Sequence, residues 1–292
     1  MNILITGNLG FVGTETQRLL ESEGHEVTGF DLMEGKDIRD KEQVKAYVAT
    51  VDRVLHLAAI ARFADADLDP NLAFETNVLG TKMIVDACRE HKRPLVYSST
   101  GSVYMPIIDT GAIKETWTAK GNSVYGCTKY AGETYVAKHN PHIILRYAHL
   151  YGKEKRMHGL IGGFTERIQR GLAPTLYGGK QSNDFTYIKD VARANLLAIT
   201  APWDKWNNIY NIGTGEEITA EAAGKQICNI LGWPEDQVEI KEQRTVDPER
   251  FLFDVSKAER MLNFKAFYNF EAGLIDMFHV GVSGMTLNED AR

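Results

Sequence analysis

The chain has 292 residues, of which 43% are hydrophobic and 25% charged, and its formal net charge is −6 at pH 7. This composition is typical of a globular protein with a sizeable core and argues against disorder. The net negative charge argues against a nucleic-acid partner, and no apolar stretch approaches the length of a membrane span, so we expect neither nucleic acid nor membrane as a partner.

The first thirteen residues hold a short apolar run followed by three glycines, Gly7, Gly10 and Gly13. Residues 3–5 predict a buried strand, and residues 12–20 predict the helix after it. In this order the first glycine allows a sharp turn, the second lets the backbone approach a pyrophosphate, and the third lets the helix pack closely on the sheet. Three glycines alone also suit an ordinary tight turn. The strand, the helix and an acid further along the chain favour dinucleotide binding at the start of the helix.

That acid is Asp31, at the end of a second predicted strand over residues 26–30 and about twenty residues beyond the glycines. A carboxylate in this position accepts hydrogen bonds from both hydroxyls of an adenosine ribose and repels a 2′-phosphate. Neither Leu32 nor Met33 is an arginine that would bind such a phosphate. Asp31 could also be an ordinary turn residue, but the pattern favours NAD over NADP as the cofactor.

Strand and helix signals alternate through the first half of the chain. Further strands are predicted at residues 53–57, 95–98 and 143–146, and helices at 12–23, 42–48, 71–91 and 123–139. This alternation predicts an α/β fold with a doubly wound parallel sheet. After Tyr151 glycine and proline become more frequent, which predicts a smaller C-terminal substrate lobe. We expect a dinucleotide-binding domain at 1–151 with returns near 184–213, a substrate lobe at 152–183 and 214–280, and a polar tail at 281–292.

The three cysteines, Cys88, Cys127 and Cys228, have no metal-binding spacing, so we expect no metal site. Their small number fits a reducing compartment. The sequence starts directly in a predicted strand, without the basic head and long apolar stretch of a signal peptide. These features predict a cytoplasmic protein.

Tyr125 and Lys129 lie four residues apart, on one face of the helix predicted at 123–139. A phenol has a pKa near 10, and a neighbouring ammonium together with an oxidised nicotinamide lowers that pKa. Tyr125 can then remove a hydroxyl proton while hydride leaves for the cofactor. Lys129 could also donate a hydrogen bond to the nicotinamide ribose.

A cluster of hydroxyl side chains precedes this helix, at the end of the fourth predicted strand: Ser98, Ser99, Thr100 and Ser102. The carboxyl edge of a parallel sheet is where open α/β folds bind ligands, so a hydroxyl there can hold a substrate oxygen. Capping of the turn is the alternative role. A second pair with the same spacing, Tyr151 and Lys155, falls at a predicted turn, and we interpret it as structural.

Further motifs add to the glycine turn and to the tyrosine–lysine pair. They include His56-Leu-Ala-Ala59, Thr76-Asn77, Asp184-Phe, Asn211-Ile-Gly and Asp254-Val-Ser-Lys257. With them the chain resembles the extended short-chain dehydrogenase/reductases, in the NAD-dependent nucleotide-sugar epimerase and dehydratase group of the UDP-glucose 4-epimerase type. The resemblance implies a Rossmann sheet and a nucleotide-sugar substrate. It also implies a homodimer that pairs the helices predicted at 71–91 and 123–139.

The resemblance implies that Thr100, Tyr125 and Lys129 are catalytic, with Thr100 as the hydroxyl that contacts substrate. With the glycine turn it assigns the cofactor site to Gly7, Gly10, Phe11, Val12, Gly13, Asp31, Leu32, Asp37, Ile38, Leu57, Ala58, Ala59, Asn77, Ser98, Tyr125, Lys129 and Tyr147. The substrate site is assigned to Thr100, His149 and Arg244. Two positions depart from the family pattern: Asn183 stands where relatives commonly have a diphosphate-binding arginine, and His149 where an asparagine is usual.

The residues after Thr100 bear on the reaction type. Dehydratases of the family carry an Asp-Glu pair there and decarboxylating relatives a glutamate, whereas this chain has Gly101 and Ser102. The remaining groups suffice to oxidise one carbinol reversibly. We therefore expect a 4-epimerase that works through a transient keto-sugar with Tyr125 as base. The alternatives are a sugar or sugar-acid dehydrogenase or keto-sugar reductase with the same residues, and a catalytically silent NAD-binding protein.

Overall fold

The computed structural model describes residues 1–105, 111–153, 159–243 and 249–278. Its strands are β1 (Asn2–Thr6), β2 (Glu26–Phe30), β3 (Arg53–His56), β4 (Leu95–Thr100), β5 (His142–Tyr147), β6 (His149–Tyr151), β7 (Thr175–Tyr177), β8 (Ser182–Asn183), β9 (Phe185–Tyr187), β10 (Asn208–Ile212), β11 (Ile218–Thr219), β12 (Glu239–Lys241) and β13 (Arg250–Phe251). Its α-helices are α1 (Phe11–Ser22), α2 (Lys41–Ala49), α3 (Phe63–Leu68), α4 (Pro70–Phe74), α5 (Thr81–His91), α6 (Val124–Val136), α7 (Gly159–Gln169), α8 (Ile188–Thr200), α9 (Ala220–Leu231), α10 (Ser256–Leu262) and α11 (Phe270–Phe278).

Six parallel strands form the central sheet in the order β10-β5-β4-β3-β1-β2. Successive side chains of a strand point to opposite faces, and β1 shows this directly. Ile3 and Ile5 pack in a core with Leu20 of α1 and the buried residues of α8. Leu4 packs on the other face, in a core shared with α2, α5 and α6. The doubly wound parallel sheet predicted from the alternating signals is confirmed.

Three small sheets lie beyond the central one, with strand orders β11-β8-β13, β12-β7 and β6-β9. A third apolar cluster joins β13 to the turn that follows β4. It is made of Val103, Tyr104, Ile113, Phe251 and Phe253, all buried. Through this cluster, the second half of the chain packs directly against the end of β4.

The sequence predicts one helix over residues 71–91, but the structure has three consecutive helical segments there. α4 runs into a π-helical turn at Glu75–Gly80, and α5 begins at Thr81. Asn77 lies in the π-helical turn, and its amide bonds both backbone groups of Ile60, at 2.8 and 3.0 Å. A single π turn shifts the helical register locally, and such turns occur often at functional sites.

No helix in the described ranges is long and apolar enough to cross a membrane.

Gly29 in β2 faces the Asn8 side chain of the β1–α1 turn. A Cβ on residue 29 would lie within 3.0 Å of the Asn8 amide nitrogen. Asn8 is only 4% exposed and donates from Nδ2 to the Gln17 side chain at 3.1 Å. The two residues therefore occupy one volume, and neither can grow without displacing the other.

Gly29→Ala should lower the free energy of unfolding by about 1–3 kcal/mol, because the added methyl overpacks this volume. Asn8→Ala/Gly29→Ala should recover most of that loss, since the amide no longer occupies the space. Urea denaturation measures both. Gly163→Ala is the matched control: residue 163 lies in α7, and its Cβ would meet no atom within 4 Å. Equal stability of Gly29→Ala and wild type would contradict the shared volume.

Candidate active site

Thr100, Tyr125 and Lys129 line one cleft at the carboxyl end of the central sheet. Thr100 is the last residue of β4, and its Oγ1 accepts a hydrogen bond from the Ser102 amide at 3.2 Å. Tyr125 lies in the first turn of α6, which Ser123 caps by accepting from the Gly126 amide at 3.0 Å. A side-chain hydrogen bond joins Tyr125 to Thr100. The structure thus brings together the three residues that the sequence predicts to be catalytic.

The Tyr125 phenol lies in apolar surroundings, with the Phe63 ring edge-to-face against it at 5.4 Å between centroids. Burial raises the pKa of Tyr125 to about 12, and the hydrogen bond with Thr100 opposes this shift only in part. In the protein without cofactor, desolvation of the phenolate outweighs the favourable contacts. The lowering of this pKa by Lys129 together with an oxidised nicotinamide stays a prediction. Phe63 is a cleft residue that sequence reasoning missed.

Lys129 is 2% exposed, and its ammonium lies 4.2 Å from the centroid of the Tyr97 ring. This cation–π contact partly replaces the water that the ammonium has lost. Burial lowers the pKa of Lys129 to about 7, while the negative charge of Glu133 acts in the opposite direction. The lysine is therefore poised between its charged and neutral forms near physiological pH.

The glycine turn is held tightly against the neighbouring backbone. Gly7 has φ +72°, and a Cβ there would lie 2.8 Å from the Ala58 nitrogen. A Cβ on Gly13 would come within 3.0 Å of the Gly7 carbonyl oxygen. Gly10 is the N-cap residue of α1 and makes no side-chain hydrogen bond to the first amides of the helix. These amides therefore face the cleft. This backbone cradle fits the pyrophosphate of a dinucleotide.

Asp31, predicted to bind the adenosine ribose, lines the cleft. Its Oδ2 accepts from the Leu9 amide at 3.1 Å and its Oδ1 from the Met33 amide at 2.9 Å. The Arg39 guanidinium donates hydrogen bonds to both carboxylate oxygens of Asp37, at 2.6 to 3.0 Å. These bonds lower the pKa of Asp37. Arg39 also lines the cleft and was not predicted from the sequence.

The cleft has a volume of about 1370 Å³. It is lined by all the residues predicted for the cofactor except Asn77. Asn77 lies behind it and donates to Thr128 Oγ1 at 3.0 Å, in the turn between Tyr125 and Lys129 of α6. Tyr147 lines the cleft and donates to Asn195 at 2.6 Å. Among the residues the structure describes, no group of three potential ligands could hold a metal ion.

Of the residues predicted to bind substrate, Thr100 and His149 line the same cleft. The His149 ring stands edge-to-face against Phe251 and Phe185, with centroids 5.1 and 6.2 Å apart. His149 is itself exposed at the cleft wall, so its imidazole is open to a ligand in the cleft. Arg244, the third predicted substrate residue, lies outside the described residues, as do Lys155 and the tail at 281–292. Tyr151, which we interpreted from the sequence as a structural residue, donates a hydrogen bond to the Phe270 carbonyl at 3.1 Å.

Phe251 closes the position that follows Thr100. A Cβ on Gly101 would come within 3.0 Å of the Phe251 ring, which is itself 2% exposed. Register places Phe251 beside Asn183, whose Oδ1 is buried without a hydrogen-bond partner among the described residues. The space beside Thr100 is therefore filled by an aromatic ring contributed from a distant part of the chain.

Residues 3–213 match the family model described as the NAD dependent epimerase/dehydratase family. The chain belongs to this family. The predicted resemblance is thus confirmed, and NAD is the cofactor to which the cleft is suited.

The relatives include both epimerases and dehydratases. A putative UDP-glucose 4-epimerase of Methanocaldococcus jannaschii is 30% identical, over 89% of this chain and 92% of its own. A dTDP-glucose 4,6-dehydratase of Streptomyces niveus is 28% identical, over 94% and 91%. Among solved structures, the UDP-glucose 4-epimerase of Thermotoga maritima with UDP-glucose has a TM-score of 0.87 at 28% identity, covering 96% of this chain and 99% of that one.

His56 lies at the end of β3, beneath the cleft, and is fully buried. Its Nδ1 is 2.7 Å from Thr6 Oγ1 and its Nε2 is 2.9 Å from Thr81 Oγ1. Thr6 Oγ1 in turn accepts from the Ala58 amide at 3.2 Å, so the histidine supports the strand end against which Gly7 packs. Burial lowers the pKa of His56 to about 3.

Stability should fall as pH drops below about 6.5, because His56 in the unfolded chain then takes up a proton that the folded state refuses. The contribution is fully present above that pH and is lost toward pH 3, at up to about 1.4 kcal/mol per pH unit. Urea denaturation at pH 7 and pH 5 measures the slope. Other histidines also contribute to the pH dependence of stability, so wild type is compared with His56→Asn. The free energy of unfolding of this variant should change less between pH 7 and pH 5. An unchanged slope would exclude His56 as a contributor to the pH dependence.

Proposed function

We propose that the protein is an NAD-dependent nucleotide-sugar 4-epimerase. The observation that carries this proposal is the cleft itself: a backbone cradle for a dinucleotide meets Thr100, Tyr125 and Lys129, while Phe251 fills the space at position 101. These groups serve reversible oxidation of a carbinol and provide nothing further. The UDP-glucose 4-epimerases among its relatives support the same activity.

In the proposed reaction, Thr100 holds the C4 hydroxyl of the sugar and Tyr125 takes its proton. NAD, when bound, supplies the hydride acceptor and a positive charge near the phenol. Lys129 in its ammonium form stabilises the phenolate that burial otherwise disfavours. Tyr125 returns the proton after the keto-sugar has turned in the cleft and hydride has come back to its other face. No net NADH is formed over the cycle.

Elimination of water is the reaction of the dehydratase relatives, and this cleft does not favour it. Removing water from a keto-sugar requires a base for the carbon-bound proton and an acid for the leaving hydroxyl. The two positions after Thr100 are Gly101 and Ser102, and neither carries a carboxyl group. Phe251 prevents residue 101 from carrying any side chain without rearrangement. Epimerisation therefore fits the cleft better than dehydration.

The protein's assembly and location belong to the same proposal. A homodimer is supported by the exposure of Phe74 and Leu79, 48% and 37%, on the segment predicted to pair with its copy. A cytoplasmic location is supported by the free cysteines, Cys88, Cys127 and Cys228.

A panel of UDP-, GDP-, dTDP- and CDP-sugars, incubated with enzyme and sub-stoichiometric NAD, should give a new anomeric signal by proton NMR. The product should exceed the NAD present, because the cofactor is regenerated in each turnover. NADH absorbance should not accumulate. Stoichiometric NADH would instead identify the dehydrogenase alternative. No conversion of any member would argue against a nucleotide-sugar substrate, a result that Asn183, in place of an arginine, would then explain.

Tyr125→Phe should lower kcat by about 10²–10⁴-fold, because the phenol is the group that accepts the proton. NAD binding, measured by isothermal titration calorimetry, should be retained, since the ring and its packing against Phe63 remain. Wild-type turnover in this variant would assign the proton transfer to another residue. Its failure to bind NAD would show that the substitution damages the cleft rather than the chemistry.

A further inference from the structure

A buried ion pair lies behind the catalytic groups and takes no part in the steps above. The Glu133 and Arg146 side chains are each 4% exposed. Arg146 donates to Glu133 Oε2 from one terminal nitrogen at 2.6 Å and to Oε1 from Nε at 2.9 Å. Ser99 Oγ also donates to Oε1. Bidentate geometry with a third donor is the arrangement that makes a buried carboxylate tolerable.

Each member of this group is next to an active-site residue. Ser99 precedes Thr100 in β4, and Arg146 precedes Tyr147 in β5. Glu133 lies one helical turn beyond Lys129 on the same face of α6. The ion pair thus connects the three elements that present the hydroxyl, the tyrosine–lysine pair and the cleft tyrosine.

The pair is also anchored on the side away from the cleft. The remaining terminal nitrogen of Arg146 donates to the Tyr104 hydroxyl at 2.7 Å, and that hydroxyl donates to Asn211 Oδ1 at 2.9 Å. Asn211 in β10 donates in turn to the Ile113 carbonyl at 2.8 Å. The guanidinium is therefore fixed on both sides, and it holds Glu133 in one position.

We propose that Glu133 is the positioning residue of the Tyr125–Lys129 pair: its carboxylate fixes the spacing of the elements that carry the catalytic groups, and its negative charge keeps the buried Lys129 in the ammonium form. This inference rests on the proposed function, in which the ammonium stabilises the phenolate. Its second part concerns Lys129 alone and can be tested without a substrate.

Among the titratable groups near Lys129, Glu133 is the one that can keep it in the ammonium form. Lys129 lies over the Tyr97 ring, and it interacts electrostatically with His56 and Glu133. The other titratable groups of α6 and β5 near the cleft are Tyr125, Tyr147 and Arg146, and Arg146 is the cation paired with Glu133. His56 is neutral, and burial keeps the pKa values of the tyrosines high. Glu133 is thus the carboxylate of this group, and it raises the pKa of Lys129 against the effect of burial.

Glu133→Gln should move the alkaline limb of the kcat–pH profile down by about one pH unit or more, because the ammonium loses its counter-charge. KM should change less than kcat. The matched control is Asp190→Asn. Asp190 is also a buried carboxylate paired with an arginine, Arg193 at 3.1 Å, and it lies outside the cleft lining. This control should lose thermal stability and leave the profile in place.

Removing one charge of a buried pair leaves the other without a partner and can prevent folding. Glu133→Gln/Arg146→Met removes both charges and avoids that strain. Because the carboxylate is absent but the opposing positive charge of Arg146 has gone with it, the double variant should keep part of the downward shift of the profile while regaining thermal stability. If both the pH profile and the thermal stability of the double variant returned to those of wild type, the charge effect would be overturned. Glu133 would then have a structural role only.

A readout on Lys129 itself separates this inference from the proposed function. With lysine labelled at Cε with heavy carbon, the Lys129 resonance is identified by its absence in Lys129→Met and titrated without substrate. Its midpoint should lie near pH 7 in wild type, lower by about one unit in Glu133→Gln, and unchanged in Asp190→Asn. Equal midpoints in wild type and Glu133→Gln would overturn the inference even if the enzyme epimerises. A shifted midpoint supports it even if no sugar of the panel is converted.

Discussion

The close approach of the β1–α1 turn to the end of β3 is the constraint on which the site depends. Gly7 and Gly13 lack room for a Cβ because the backbone of Ala58 and of the turn itself occupies that space. This contact sets where α1 begins and how its first amides face the cleft. His56 and Thr6 support it from below through buried hydrogen bonds. The proposed cofactor position follows from this packing, and the residues of β4 and α6 proposed to be catalytic line the same cleft.

Burial pushes the ionisable groups around the reaction centre toward their neutral forms. The pKa of Tyr125 rises to about 12, and those of Lys129 and His56 fall to about 7 and about 3. The proton transfer proposed for Tyr125 nevertheless needs a phenolate beside an ammonium. The protein therefore has to stabilise charge that its own core disfavours, and perturbed groups of this kind are typical of active sites. In the proposed mechanism the stabilising charge would come from Glu133 on one side and from NAD, when bound, on the other.

The sequence predicts the parts of this site that depend on local patterns. Alternating strand and helix signals suffice for the sheet, and the glycines, Asp31 and the Tyr125–Lys129 spacing indicate its ligand and chemistry. Contacts between distant segments were missed: the Phe63 ring on Tyr125, and Phe251 against Gly101. The Arg39–Asp37 pair was also missed, although only one residue separates the two. Glu133 could have been found, since it continues the four-residue spacing of the catalytic pair along one helix face. Its arginine partner in β5 could not, because the two meet only through the packing of α6 on β4 and β5.

The packing of Phe251 on Gly101 extends this point from structure to reaction type. In the sequence, the absence of an acid after Thr100 concerns only Gly101 and Ser102. In the structure it also involves β13, because Phe251 of that strand fills the space beside Gly101. The buried cluster around Tyr104 and Phe253 holds the Phe251 ring in place. An acidic side chain at position 101 would need a smaller residue at 251 and a repacked cluster. A change from the proposed epimerisation to elimination would therefore require coordinated changes on both sides of the cleft, which a single substitution beside Thr100 cannot supply.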